Sequence, residues 1–438
     1  MRFARFVRAA MQADQLIVQP RMGFDSLSEM RAGLTAVRAA NALSVGTITL
    51  DSYTRVGDHQ TAALAMQEHR GLNGYPIVVY GADVTKGMLD GIQGDNFPIQ
   101  VRHGCARPLD IFQVIKDAGI DATEGGPVSY CLPYGRVPLA ESIDAWARCC
   151  DLIAARADEP EAVHLESFGG CMLGQMCPPS LLIAMSILEG LFFLQHGVHS
   201  ISLSYAQQTD QLQDVAALHA LRLLATEHLG AADWHVVLYT YMGVFPRTSQ
   251  GSKSLLAESV RLARMGGAQR LIVKTVAEAH RIPTVAENIE ALEFGSSTWQ
   301  SLPPDKSAWF NFVLAVEIYD EASQLVNAVR NLHADIGVAL RMAFESGYLD
   351  IPYCLHKDNQ GLSRSYIDAA GRLQWHAVGR MPITAKPSDR HKGRLDPFDF
   401  LEMLSTVEQR FDNPHYSTAL VGHHHNSVCR SLAVPSHH

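Results

Sequence analysis

The sequence predicts an α/β fold, a closed (β/α)8 TIM-type barrel followed by a smaller, irregular C-terminal region. Three observations predict it. Short apolar β-type runs recur as far as residue 273, helical stretches separate them, and several runs stop on polar residues or glycine. The β-type runs fall at 15–19, 44–50, 76–80, 98–101, 121–123, 162–165, 200–204, 235–239 and 270–273. Nine candidates compete for the eight slots of such a barrel, so one run lies outside it or is not a strand. A chain of 438 residues has room for about three domains, but one barrel of about 250 residues or more with additions fits equally well. The expected organisation is an N-terminal helical segment over 1–14, the barrel over 15–345 and a C-terminal region over 346–438.

The helical pieces are better defined than the strands. The opening MRFARFVRAAMQADQL lacks a clean apolar stretch, so it reads as a short amphipathic helix and not as a leader. Leu109, Ile111, Phe112, Val114 and Ile115 cluster at helical spacing before a Gly119 stop. Leu139, Ile143, Trp146, Cys150 and Ile153 follow a four-three-four-three spacing. Residues 255–264 run into Met265-Gly266-Gly267, an ordinary glycine stop. The run 181–198 is apolar enough to suggest a membrane span, but Glu189 sits in its middle and Pro178-Pro179 precede it, so a buried barrel helix is expected. Beyond about Arg341 the pattern changes. Residues 357–392 are polar, turn-rich and weakly periodic, an irregular arm closed by a helix over 397–409.

Composition excludes some function classes. With 36 cations against 45 anions and a formal net charge of −9, the chain offers no general surface for nucleic acid or an anionic membrane. Its eight cysteines include no CxxC pair, which suits reduced thiols and a cytoplasmic location. The run His423-His424-His425 and the terminal His437-His438 lack carboxylate or cysteine ligands at matching spacing, so a solvated tail is expected and no metal site is assigned.

The chemistry concentrates between Phe97 and Val137. A strand stops on Arg102-His103-Gly104, a helix follows, and a second strand ends in Glu124-Gly125-Gly126, with Tyr130 and Tyr134 four residues apart beyond it. Residues just past strand carboxyl ends form the site in such units. A cation after one strand, with a carboxylate and two phenols after the next, suits an amino acid. Arg21 and Arg55 stand at two further strand ends. One such arginine is commonly a surface ion pair, but three converge on one mouth if the barrel closes. Guanidinium grips a carboxylate bidentately and keeps its proton, so a cluster would orient a dianion.

VRHG and EGGPVSYCLPY, with QPRMGF, LDSYTR, LNGYP, FGG…CPPS and LIVKT elsewhere, resemble the large catalytic (E) chain of adenosylcobalamin-dependent glutamate mutase, also called methylaspartate mutase. The likeness runs from about residue 19 to 283 and resumes faintly over 343–352. It implies the barrel, conversion of L-glutamate to (2S,3S)-3-methylaspartate by a radical mechanism, and adenosylcobalamin as cofactor. Arg21, Arg55 and Arg102 match the family's arginines for the two substrate carboxylates, Glu124 its amino-group partner, and Tyr130 and Tyr134 its tyrosines. Glu124, Tyr134 and Arg55 are the catalytic candidates. Gly23, Thr49, Asn73, Pro133, Phe245, Lys274, Glu278 and Ile282 stand where the family contacts cofactor. Gly23 would let the backbone approach a large planar ligand. Lys274 and Glu278, four apart, could hold ribose hydroxyls or form a plain helical salt bridge.

Cobalamin-binding chains of this class carry Asp-x-His-x-x-Gly for cobalt. The nearest match, Asp389-Arg390-His391-Lys392-Gly393, has its glycine one place early, so a separate small cobalamin-binding subunit is expected, with self-pairing of this chain. There are departures from the family. Its usual chain has a longer N-terminal arm, Pro127 replaces a glycine, residues 204–209 lack a glycine and asparagine pattern, and the tail after Tyr353 differs. Two other readings remain. One is a barrel lyase or aldolase in which Lys274 forms a Schiff base, its pKa lowered by an apolar pocket or by Arg270 or Arg102. The other is a barrel without catalytic activity.

Overall fold

Strands and helices alternate along the chain as the periodicity predicts, and the strands close into a ring. The computed structural model describes residues 2–133, 135–154, 163–172, 176–230, 232–303, 311–384 and 397–413. In chain order the elements are α1 (Arg2–Gln12), β1 (Ile17–Gln19), α2 (Leu27–Ala39), β2 (Gly46–Thr49), α3 (Ser52–Val56), α4 (His59–Gln67), α5 (Ile77–Leu89), β3 (Ile99–Arg102), α6 (Leu109–Ala118) and β4 (Ala122–Gly125). Then come α7 (Leu139–Ile153), β5 (His164–Ser167), α8 (Pro179–Gln195), β6 (Ser200–Ala206), α9 (Gln211–His228), β7 (Asp233–Tyr239), α10 (Ser249–Gly266), β8 (Arg270–Ile272) and α11 (Val285–Ser301). After the barrel follow α12 (Phe312–Arg330), α13 (Ile336–Ser346), the hairpin β9 (Ser363–Ile367) and β10 (Leu373–Val378), and α14 (Pro397–Asp412).

The eight strands are parallel in the order β1-β8-β7-β6-β5-β4-β3-β2. The ring closes between β1 and β2 through a parallel bridge from Val18 to Ser44. This is a (β/α)8 barrel, so active-site chemistry belongs at the carboxyl ends of the strands. Of the nine expected strands, 76–80 is not one. Tyr75 bridges Leu50, and the chain then turns into α5 at Ile77. The stretch beyond 346 is less irregular than expected, because β9 and β10 pair antiparallel within it. Part of it packs on the barrel, where Leu349, Ile351, Trp375 and Met381 join the main apolar cluster, and part forms a small cluster of its own in which Tyr366 and Met403 meet Met176.

The run that suggested a membrane span is α8, whose side chains are almost all buried, Glu189 included. A helix that is apolar all round belongs in a core. No helix among the described residues is long and apolar enough to cross a membrane. Seven cysteines among the described residues are buried and free. The histidine run at 423–425, the terminal histidines and the segment 389–393 lie outside the described residues.

The barrel interior is polar where branched apolar layers are usual. Arg270, from β8, is fully buried and donates to Gln19 Oε1 at 2.6 Å, to Ser202 Oγ at 2.9 Å and, very closely, to Glu166. Gln100 Nε2 reaches the same Glu166 at 3.2 Å. Below this tier His235 Nε2 accepts from Arg270 Nε at 2.8 Å, so that imidazole is neutral on this nitrogen. Burial and Arg270 together hold His164 and His235 well below the ordinary imidazole range. The amphipathic α1 plugs this end: Phe3 stacks on His164 with ring centroids 4.6 Å apart and lies under the Arg270 guanidinium at 5.0 Å.

Arg270→Ala would strand Glu166 in the barrel without its guanidinium. The expected cost is about 3–5 kcal/mol in denaturant unfolding, whereas breaking the exposed Arg341–Glu345 pair with Arg341→Ala should cost about 0.5 kcal/mol or less. Equal effects would contradict a charge-centred barrel.

Candidate functional site

The polar tier continues upward to the mouth, where each strand end delivers one group. Arg102 closes β3, Glu124 lies in β4, Tyr239 closes β7, and Lys274 stands two residues beyond β8. Arg55 arrives differently. Asp51 caps the short α3 by accepting from Tyr53 N at 2.9 Å and Thr54 N at 3.0 Å, which turns the chain so that Arg55 Nε donates back to Leu50 O at 2.9 Å. The two glycines after Glu124 answer close packing. A Cβ at Gly125 would strike Trp146 and Tyr130, and one at Gly126 would lie 2.0 Å from the Glu189 carboxyl group.

These elements enclose a cavity of about 380 Å³ lined by Arg21, Thr49, Ser52, Arg55, Arg102, His103, Glu124, Tyr130, Phe168 and Met242, among others. All three expected arginines, Glu124 and Tyr130 therefore share one space, of a size suited to a small molecule. A second hollow of about 590 Å³ adjoins it and shares Arg55, Gly104 and Tyr130.

Glu124 is the hub. Its Oε2 accepts from Arg102 Nε at 2.7 Å and from the Tyr239 hydroxyl at 2.8 Å, and its Oε1 accepts from Tyr130. Tyr239 also reaches Glu166 of the tier below. A phenol carries one hydrogen, so it serves one carboxylate at a time. Arg102 Nη1 is buried with no partner, a strong donor with unused capacity. Burial lowers the Arg102 pKa, but Glu124 and the phenols outweigh it and raise it well above the ordinary value. The Arg55 pKa is lowered by burial, with Arg21 and Arg102 pushing the same way against Tyr130 and Glu124. Burial and Arg55 push His103 down to about 3, so it lines the cavity as a neutral ring.

Arg21 leads to the remaining candidates. Its Nη1 meets Glu278 Oε1 at 2.9 Å, and Lys274 Nζ meets the same oxygen at 2.8 Å. Burial lowers Lys274 to about 8, partly offset by Glu278 and reinforced by Arg21 and Arg102. Arg270, named from the sequence as a cationic neighbour of Lys274, instead serves Glu166 in the tier below. Burial raises Glu278, but Lys274 and Arg21 prevail and hold it below the ordinary carboxylate range. Phe245 is buried under Lys274, 5.1 Å from Nζ to the ring centre. Thr49 Oγ1 is buried without a partner.

The other candidates are less engaged. Asn73 is exposed and accepts from Ser52 N at 2.9 Å. Pro133 is half-buried in a turn, and Ile282 is 61% exposed. Tyr134 lies outside the described residues. Gly23 has a structural reason of its own to be glycine. A Cβ there would come 2.1 Å from the Thr49 carbonyl oxygen, so contact with the neighbouring backbone alone requires glycine. Sequence reasoning missed Tyr239, Glu166 and His103. A tyrosine at the carboxyl end of an expected strand, a glutamate one residue past another, and a histidine beside Arg102 were the available signals. Among the described residues no group of three or more His, Cys, Asp or Glu side chains could hold a metal ion.

Comparison with known proteins gives a consistent result. The family model "Methylaspartate mutase E chain (MutE)" matches residues 1–400. The "Glutamate mutase epsilon subunit" of Escherichia coli O157:H7 is 30% identical over 407 residues, covering 88% of this chain and 83% of that protein. Proteins of the same name from Desulfitobacterium hafniense and Halobacterium salinarum are each 29% identical, covering 86% and 90% of this chain and 80% and 83% of theirs.

Tyr239→Phe removes the hydroxyl that, among the described residues, touches both buried carboxylates. The expected loss is about 1–3 kcal/mol of unfolding free energy, measured by denaturant titration. A variant as stable as the parent would show that the phenol is not needed to satisfy them.

Proposed function

The chain belongs to the methylaspartate mutase E chain family, and on that premise we propose that it is the large catalytic subunit of a mutase interconverting L-glutamate and (2S,3S)-3-methylaspartate. The observation that carries the reading is the shared cavity, in which Arg21, Arg55 and Arg102 face Glu124 and Tyr130. Three guanidinium groups suit the two carboxylates of an amino dicarboxylate. Glu124 suits its ammonium, since three donors already at this carboxylate leave about one acceptor position open. Arg102 Nη1, buried and unpartnered, supports a direct role in gripping one substrate carboxylate.

The residues of this chain supply position and exclusion. The arginines fix both ends of a flexible dianion, which removes rotational freedom before reaction. Phe168 and Met242 add apolar wall, so the cavity holds water out of the reacting centre once its mouth is covered. Tyr130 and Tyr239 hold Glu124 in orientation.

The residues near the mouth also fit adenosylcobalamin. Thr49 Oγ1 is an orphaned buried hydroxyl, and Lys274 with Glu278 offers donors and acceptors suited to a nucleoside. Thr49, Asn73, Phe245, Lys274 and Glu278 would hold the group, with Gly23, Pro133 and Ile282 around them. When bound, it would supply the radical chemistry that removes and returns a substrate hydrogen atom. A small cobalamin-binding chain would complete the enzyme, with a second copy of this chain in the assembly.

One observation favours a second reading, a Schiff-base lyase or aldolase: burial lowers Lys274 to about 8, as such a nucleophile requires. Its amine, however, is held by Glu278 at 2.8 Å. The pH dependence separates the two. A cofactor-holding Lys274 must be protonated, so turnover should fall as pH rises through about 8. An imine-forming Lys274 must be neutral, so turnover should rise over the same interval. In the mutase reading Lys274→Arg keeps partial activity and loses this limb of the profile. Activity rising through pH 8, with a borohydride-trapped adduct, would overturn it.

The carboxylate grip is tested with L-glutamate, adenosylcobalamin and the small cobalamin-binding chain. Arg102→Lys keeps the charge but loses the planar fork. A loss in kcat/KM of about a hundredfold or more, equivalent to about 3 kcal/mol, is expected, with the variant still folded by circular dichroism. Unchanged kinetics would contradict the assignment.

A further inference from the structure

Glu189 is a titratable group that the proposed chemistry does not use. It lies in the middle of α8, fully buried in a helix whose other side chains are nearly all apolar and buried. A carboxyl group in such a place is costly unless hydrogen bonds compensate it. Its partners all belong to one place. Oε1 accepts from Val128 N at 3.2 Å and Ser129 N at 2.9 Å. Oε2 accepts from Ser129 Oγ at 3.0 Å and Ser167 Oγ at 2.9 Å. The first three groups lie in the turn after β4, and the fourth ends β5.

The turn is pressed onto this carboxyl group. Gly126 packs so closely against it that a Cβ would lie 2.0 Å away. The residue after Ser129 is Tyr130, whose hydroxyl donates to Glu124. The residue after Ser167 is Phe168, which lines the cavity and packs 4.9 Å from the Tyr130 ring. The Tyr130 amide in turn bonds Gly126 O at 3.3 Å.

We propose that Glu189 is a positioning residue for the amino end of the substrate pocket: its carboxyl group clasps the turn after β4 to the end of β5 and so sets Tyr130 against Glu124. The proposal rests on the reading of the cavity as an amino-dicarboxylate site. Burial pushes Glu189 up to about 7, and either protonation state fits the four contacts, because serine hydroxyls can donate or accept. Glutamine at this position can accept both amides through its carbonyl oxygen and donate to both hydroxyls. Alanine takes this acceptor from two amides and two hydroxyls, leaving Ser167 Oγ only the Gly169 amide.

The test uses the full chain with Glu189→Ala and Glu189→Gln. Calorimetry measures binding of L-glutamate and of glutarate, which has both carboxylates and no ammonium. For Glu189→Ala the expected loss is about tenfold or more for glutamate and about twofold or less for glutarate, with Glu189→Gln restoring glutamate binding. Equal loss for both ligands, or no loss for glutamate, overturns the proposal, since a merely structural role would not distinguish them. Hydrogen exchange of the segment 126–132 provides the ligand-independent half. Faster exchange there in Glu189→Ala, with 236–239 unchanged, supports the clasp, and unchanged exchange at 126–132 overturns it. A parent chain that binds neither ligand would overturn the amino-dicarboxylate reading, while exchange still decides the clasp. If Glu189→Ala does not fold, Ser129→Ala removes one of the four contacts and takes its place in both measurements.

Discussion

The buried pair Arg102–Glu124, 2.7 Å apart at the barrel mouth, is the interaction on which the other features of the site depend. Two opposite charges withdrawn from water are stable only when every remaining donor and acceptor finds a partner. Glu124 meets that demand with Tyr130 and Tyr239, and Tyr239 extends the network to Glu166, which Arg270 balances. The barrel is therefore filled by two tiers of opposed charge joined by one phenol. The neutral imidazoles of His164 and His235 and the plug of α1 close it from below. Arg102 remains incompletely used, with Nη1 buried and unpartnered, and this unused donor points to an anionic ligand.

A second chain of contacts links the substrate side of the mouth to the side proposed for cofactor. Glu278 Oε1 is shared by Arg21 and Lys274. A group drawing Lys274 away from Glu278 would leave that carboxylate to Arg21, and a substrate carboxylate drawing Arg21 away would leave it to Lys274. The two proposed binding events are thus coupled through one oxygen, electrostatically and at short range.

Much of the fold was legible in the sequence because its periodicity is local. Eight short runs of β-type residues correspond to eight strands, with boundaries shifted by one or a few residues. The run Pro76-Ile77-Val78-Val79-Tyr80 misled because a short β-branched stretch fits a strand or the first turns of a buried helix equally well. The strand-like contact is made just before it, by Tyr75, and the run itself turns into α5, which continues to Leu89. The hairpin of β9 and β10 was hidden by short alternation and by polar residues around Asp368 and Gly371. The arginines were legible from strand-end logic. Tyr239, Glu166 and Glu189 were not, since their roles depend on partners 115, 104 and 60 positions away. Arg270 was one of two arginines offered as a cationic neighbour of Lys274, and only the other, Arg102, acts on it. Four residues along an extended chain span about 13 Å, enough to put Arg270 and Lys274 on different tiers.

The most direct test of the account is a crystal structure of the full chain soaked with L-glutamate. The account predicts one carboxylate of the ligand within hydrogen-bond distance of Arg102 Nη1, the other held by Arg21 or Arg55, and the ammonium against Glu124. Ordered glutamate lying elsewhere, or seated in the cavity with its ammonium turned away from Glu124, would contradict it.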